Sequence, residues 1–409
     1  MNYIRVSKNN LCVEKISALT LAKKYKTPFY CYSLSQLKSN FYNFNNAFKK
    51  IKPLVCFSVK SNSNKTLLKE LRKIGSGADV VSGGELLKAI NAGINAKKIV
   101  FSGVGKTEEE IELAIKKGVL LINIESESEA NLINAISKRN SKKTSVGIRL
   151  NPNVIGETNK KISTGSKDNK FGLSYNDCIA LCKKIYKMKN LKLEGLSVHI
   201  GSQITSVEPF KKVLSIINKI INNTKINFKY IDLGGGMGIS YSIKEKKLNL
   251  NKYAKLVGEF VKNKKTQIIF EPGRVIAGDT SILVSKVIYI KKSNNKNFVI
   301  LDAGMNDLMR PALYDARHEI VPLKKNIKKN LGNVEFVGPV CESSDKFLNK
   351  KSFPKISEGD YVAITNVGAY GMSLASNYNA RPIIAEILVS GSTHKLIKKR
   401  QSLESLINY

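Results

Sequence analysis

Four stretches of this chain combine residue types that can do covalent and acid–base chemistry. In VCFSVKSNSN (55–64) an apolar run ends in Lys60. An ammonium there is either a solvated strand end or an amine placed to condense with an aldehyde as a Schiff base. GGGMG (234–238) leaves backbone N–H groups bare, as a tight turn or as an anion cradle. It is not a dinucleotide fingerprint, because Ile239 stands where the last glycine of that motif belongs. His199 ends an apolar run, as a core histidine or as a ring that stacks on a flat heteroaromatic. Glu271 in EPGR ends another, either paired with Arg274 or hydrogen-bonded to a ring nitrogen. An ionised carboxylate would keep that nitrogen protonated and the ring a strong electron sink. Lysine, phosphate cradle, stacking histidine and ring-nitrogen carboxylate are the parts a pyridoxal phosphate site needs.

Those residues fall at the ends of a regular series of apolar runs. The strand candidates are 53–59, 78–82, 98–103, 120–126, 144–152, 193–201, 229–236 and 267–273. Amphipathic stretches such as NKTLLKELRKI, GGELLKAINAG, TEEEIELAIKKG and SEANLINAISKR lie between them. Strands alternating with helices in this way predict a parallel (β/α)8 TIM barrel, whose chemistry gathers at the C-terminal strand ends. After about residue 277 the texture becomes mostly β, with a β-turn-β pattern around Ser293, Asn294 and Asn295. The expected organisation is a barrel over 27–276. Residues 1–26 and 277–409 form a mostly antiparallel β-barrel or β-sandwich domain, which the strand MNYIRVS could join. A helical pattern reappears in QSLESLI.

Composition narrows the functional classes. The formal net charge is +36, from 68 Lys and Arg against 32 Asp and Glu. The lysines are scattered and only 9 of the basic residues are arginine, the usual base-reading side chain, so compositional bias is favoured over nucleic-acid binding. No run approaches the about 18 apolar residues that span a bilayer, and the first residues lack a signal-peptide pattern. A cytoplasmic protein is expected, with no membrane partner. The six cysteines form no CxxC, no metal site is expected, and Cys178 and Cys182 read as helix core.

At this point the residues resemble a known family, the diaminopimelate decarboxylases of the alanine-racemase-like (fold-type III) pyridoxal-phosphate class. TPFYCYS, FSVKSN, GADVVSGGEL, NPNV, TGSKDNKFG, HIGSQI, DLGGGMGI, EPGR, MRPALYDARHEI, GPVCESSD and GAYGMSLASNYN occur in the family's order. The resemblance implies decarboxylation of meso-2,6-diaminoheptanedioate (meso-diaminopimelate) to L-lysine and carbon dioxide, the last step of lysine biosynthesis, with pyridoxal 5'-phosphate. It implies that Lys60 forms the Schiff base and that His199 stacks on the ring. Gly235, with Gly236 and Gly273, would hold the phosphate, and Glu271 would meet the ring nitrogen. Asp79, Ser202, Arg274 and Tyr370 would also contact the cofactor. Arg274, Arg310 and Tyr314 would bind the substrate's distal carboxylate, Glu342 its distal ammonium, and Tyr370 the substrate too. Cys341 would protonate the α-carbon. Cys341 and Glu342 would serve the partner's site, which implies an obligate homodimer.

Departures are small: Ser61 stands where alanine is commoner and Met237 where leucine is. Related decarboxylases of ornithine, arginine or carboxynorspermidine are the alternative. Ornithine enzymes carry a Cys-Asp-Gly-type motif where this chain reads Cys341-Glu342-Ser343. A racemase of the class would put a basic residue where Glu271 stands. A non-catalytic pyridoxal-phosphate carrier would lack the β-domain.

Overall fold

The computed structural model describes residues 3–156, 164–166, 169–242, 245–324 and 330–407. The chain divides into two compact units. One comprises 41–239 and 246–275, the other 1–40, 240–245 and 276–409.

The first unit is a closed barrel of eight parallel strands. In chain order they are Leu54–Ser58, Gly77–Val80, Ile99–Phe101, Leu121–Ile124, Thr144–Leu150, Leu191–Val198, Tyr230–Asp232 and Gln267–Phe270. The last pairs with the first through Ile269 with Leu54 and Phe270 with Val55, closing the ring. All eight lie within or beside the runs expected from the sequence. Short, wholly buried strands such as LINI explain why no polar alternation was visible. Cys56, Val100, Leu121, Tyr230 and Ile269 fill one layer of the interior.

Helices between the strands begin where hydroxyl or amide side chains can cap them. Thr107 and Glu110 form a reciprocal capping box ahead of Glu108–Lys117, and Gly118 ends that helix at φ 68°. Ser82 and Ser126 accept the Glu85 and Glu129 backbone N–H groups. The four amphipathic stretches quoted from the sequence are all helices: Lys65–Lys73, Gly83–Asn91, Glu108–Lys117 and Glu127–Arg139. Cys178 and Cys182 are buried on the helix Tyr175–Ile185.

The second unit contains a nine-stranded, mostly antiparallel sheet. Its long strand Ser281–Ser293 pairs with Lys296–Leu301 across Asn294 and Asn295, as the β-turn-β pattern predicts, although Ser293 is still paired, with Lys296. Phe29–Ser33 is also a strand of this sheet, between Ser281–Ser293 and Ala385–Ser390. Residues 27–40, expected with the barrel, therefore lie in this unit. Phe29, Cys31, Ile282, Val284 and Ile387 form its core.

The first strand lies in this unit, as the sequence suggests, but outside the large sheet. Ile4–Ser7 folds back on Asn10–Val13 in a separate three-stranded sheet. Lys8 and Asn9 both take positive φ, 46° and 64°, the geometry of a tight two-residue hairpin, so local pairing wins. The C-terminal helical pattern is realised only as a 3-10 turn, Glu404–Leu406.

Candidate active site

Lys60 lies in a 3-10 turn, Val59–Ser61, directly after the first barrel strand. Ser61, the departure from alanine, donates to the Ser58 carbonyl at 2.7 Å and closes that turn. Lys60 Nζ is 3.5 Å from Asp79 Oδ2, at the end of the neighbouring strand. Ser58 donates to the same oxygen at 2.8 Å, and the Asp79 side chain is fully buried. The lysine side chain keeps 36% exposure. It is an anchored amine with an open side, not a freely solvated strand end.

The other strand ends converge on the same mouth of the barrel. His199 follows Leu191–Val198, the glycines follow Tyr230–Asp232, and Glu271 follows Gln267–Phe270. The Gly235 N–H donates to His199 Nδ1 at 3.1 Å, which makes Nδ1 the acceptor and places any ring proton on Nε2. His199 is partly exposed but enclosed on most sides. That enclosure, with the Lys60 and Arg149 charges, holds its pKa well below the ordinary value. A neutral, fixed imidazole is what stacking on a flat ring requires.

The glycine turn is demanded by close approach. A Cβ at Gly235 would collide with the Glu271 carbonyl oxygen, and Gly236 has φ 90° with the Gly201 carbonyl where its Cβ would go. Gly273 packs just as closely on Ser61, 2.9 Å from a built Cβ to the Ser61 Cβ. Arg274 begins a short helix after EPG and donates through Nη2 to Ser202 at 3.1 Å. The Gly234 and Gly235 N–H groups are taken by Asp232 and His199, so the sequence expectation of bare donors there gives way; the close approach that glycine allows, with Ser202 and a guanidinium, suits a phosphate.

Glu271 is buried and accepts from Ser102 Oγ at 3.4 Å. Arg274 turns instead to Ser202, so the reading of Glu271 as its ion-pair partner gives way. Burial raises the Glu271 pKa well above the carboxylate range, helped by the Asp232 and Asp79 charges and opposed by Lys60. In the free chain these surroundings disfavour the ionised carboxylate. The ionised form expected from the sequence requires a cationic N–H donor beside it, which a protonated pyridine nitrogen would be.

Beneath the mouth lies a polar layer that sequence reasoning passed over. Asp232 accepts from Asn123 at 3.1 Å, from Ser197 at 3.2 Å and from the Gly234 N–H at 2.9 Å. It thereby ties the glycine turn to the barrel interior. Arg149 pairs with Glu125 at 2.7 Å, both nearly buried, and lies over the Phe171 ring. Glu125 also accepts the Gly172 N–H at 2.8 Å, which fastens the loop carrying TGSKDNKFG. Lys167 and Asp168 of that motif lie outside the described residues. The available signal was a charged residue inside an apolar run, which needs a buried partner.

Glu85, on the helix that begins at SGGEL, accepts the Val81 N–H at 2.9 Å. Burial, joined by the Asp79 charge, pushes its pKa up to about 7. A raised carboxyl stabilises the fold fully below its unfolded pKa, and that contribution is lost as pH rises through the folded value. The expected result is a fold that loses up to about 3 kcal/mol between pH 4.5 and 7.5 through this group. Glu85→Gln should flatten that part of the thermal-unfolding profile. An unchanged slope would remove Glu85 as its source.

The remaining expected residues lie in the second unit. Arg310 and Tyr314 are one turn apart on the helix Arg310–Tyr314. Arg310 is buried. Cys341 and Glu342 are exposed, in a loop whose Asp345 accepts N–H groups of Met305 and Val340, both at 2.7 Å. Glu342 accepts from the Tyr378 hydroxyl and from Ser344, and the Tyr378 bond holds its pKa below the ordinary value. Tyr370 is half-buried at φ 58°. Among the described residues, no cluster of His, Cys, Asp and Glu could hold a metal ion, and no helix is long and apolar enough to cross a membrane.

The chain is similar to known proteins in sequence and fold. A family model described as "Pyridoxal-dependent decarboxylase, pyridoxal binding domain" matches residues 34–278. The diaminopimelate decarboxylase of Neisseria meningitidis serogroup A is 42% identical over 96% of this chain and 97% of its own length. The crystal structure of diaminopimelate decarboxylase from Helicobacter pylori complexed with L-lysine is similar at TM-score 0.90 and 40% identity, covering 95% of this chain and 98% of that one. The crystal structure of diaminopimelate decarboxylase from m. jannaschii in co-complex with L-lysine is similar at TM-score 0.94 and 36% identity, covering 99% of this chain and 97% of that one. The chain belongs to the diaminopimelate decarboxylase family of pyridoxal-dependent decarboxylases.

Proposed function

We propose that this chain is a cytoplasmic enzyme that converts meso-diaminopimelate to L-lysine and carbon dioxide, with pyridoxal 5'-phosphate held at the barrel mouth. The observation that carries this reading is one amine, Lys60, set among the glycine turn, a neutral His199 and buried Glu271. The polar groups fit the cofactor: the glycine turn at Gly235, where no side chain can be accommodated, with Ser202 and Arg274, suits its phosphate. Lys60 would hold its aldehyde carbon, His199 one ring face and Glu271 the ring nitrogen. Asp79, Gly236, Gly273 and Tyr370 would complete its surroundings. When bound, the cofactor supplies an electron sink for the pair left behind as carbon dioxide departs.

The chain's own residues then orient the substrate. Arg274, Arg310 and Tyr314 hold the distal carboxylate, so that the carboxylate to be lost escapes strong pairing. Glu342, kept ionised by its Tyr378 hydrogen bond, takes the distal ammonium. The Cys341 Sγ–H delivers a proton to the α-carbon. The exposure of Cys341 and Glu342 supports their service to a partner's site in a homodimer.

The test is direct. Purified protein with pyridoxal 5'-phosphate should form L-lysine and carbon dioxide from meso-diaminopimelate, and give no product from L-ornithine or L-arginine. Turnover of ornithine or arginine would keep the barrel roles and overturn the carboxylate clamp.

A further inference from the structure

His318 is fully buried, ends the MRPALYDARH segment, and has no part in the chemistry described above. Its Nδ1 lies 2.9 Å from the Thr365 carbonyl oxygen, which can only accept, so Nδ1 carries the proton. Its Nε2 lies 2.6 Å from Nη1 of Arg310, which can only donate, so Nε2 is the acceptor. Both contacts are satisfied together by one species, the neutral ring protonated on Nδ1.

A second group holds the same guanidinium. Its carbon lies 4.8 Å from the centroid of the Tyr241 ring. That ring also meets His318 edge-on, with centroids 5.2 Å apart and planes at 82°. A guanidinium presents its donors in one rigid plane. Fixing one edge on His318 and one face on Tyr241 fixes the direction of the others.

We infer that His318 is a positioning residue for recognition of the substrate's distal carboxylate: locked by Thr365 into an acceptor, it aims the Arg310 guanidinium. This rests on the reading that Arg310 binds that carboxylate. The role predicts an effect on substrate binding with little effect on the chemical step.

The experiment compares His318→Asn, His318→Gln and Arg310→Met as pyridoxal-phosphate-loaded enzymes, with KM and kcat for meso-diaminopimelate measured separately. Asparagine keeps a donor toward Thr365 and loses the acceptor toward Arg310; glutamine can place an oxygen near the Nε2 position. His318→Asn should raise KM about tenfold, the worth of a hydrogen bond to a charged group. Its kcat should stay within about twofold of the parent, and His318→Gln should recover most of the loss in KM. If Arg310→Met raises KM while His318→Asn leaves it unchanged, the positioning role falls and the clamp stands. If Arg310→Met leaves KM unchanged, the clamp falls and the inference with it. Loss of kcat rather than KM in His318→Asn, or a glutamine variant no better than asparagine, would also overturn the role.

Discussion

Lys60→Ala is expected to lower kcat by on the order of 10^4-fold or more and to abolish the visible absorption of the pyridoxal-phosphate-loaded protein. Lys60 Nζ is 3.5 Å from buried Asp79, within a mouth that also holds buried Asp232 and Glu271. The proposed roles of Lys60 are therefore two and separable, charge balance as the ammonium and nucleophile as the free amine. Lys60→Arg separates them, because a guanidinium keeps the charge beside Asp79 but cannot condense with an aldehyde at neutral pH. Arginine should preserve the melting temperature better than alanine while leaving turnover equally low. A Lys60→Ala enzyme retaining a tenth of parental kcat, or an active Lys60→Arg enzyme, would reduce Lys60 to a structural counter-charge.

The residues at the strand ends were legible because each broke a pattern. Lys60, His199 and Glu271 each interrupt an apolar run, and three consecutive glycines have few structural reasons to occur. The barrel was legible because helical and strand periods alternate cleanly over eight repeats. What escaped was whatever depends on pairing across long sequence separations. Nothing local in TPFYCYS says that Phe29–Ser33 will lie beside Ser281–Ser293, since the apolar run would suit either unit. Asp232 reads as a strand end beside glycines; only the fold brings Asn123 and Ser197 to it. The raised pKa of Glu271 in the free chain was not legible for the same reason. Its charge state depends on Asp232 and Asp79, which lie 39 and 192 positions away in the chain. His318 lay inside a quoted motif without a role, because its meaning comes from Tyr241 and Thr365.

Cys341→Ala should lower kcat by on the order of 10^2–10^3-fold, since a positioned proton donor contributes at about that level. The sharper test comes from mixing. Cys341 is exposed, on a loop held from within by Asp345 and by the Cys341 N–H donating to Asn379 at 3.3 Å. If that loop serves a partner's barrel, Lys60→Ala and Cys341→Ala damage different halves of each shared site. Unfolding and refolding an equal mixture should yield heterodimers as about half of all dimers. Each heterodimer has one site with an intact Lys60 from one chain and an intact Cys341 from the other, so activity should return to about a quarter of the parental value. Either variant refolded alone stays near its own low level, which makes the recovery a gain of about 25- to 250-fold over the Cys341→Ala enzyme, the more active of the two. If Cys341 instead served its own barrel, every site in the mixture would lack one of the two residues, and no recovery would occur.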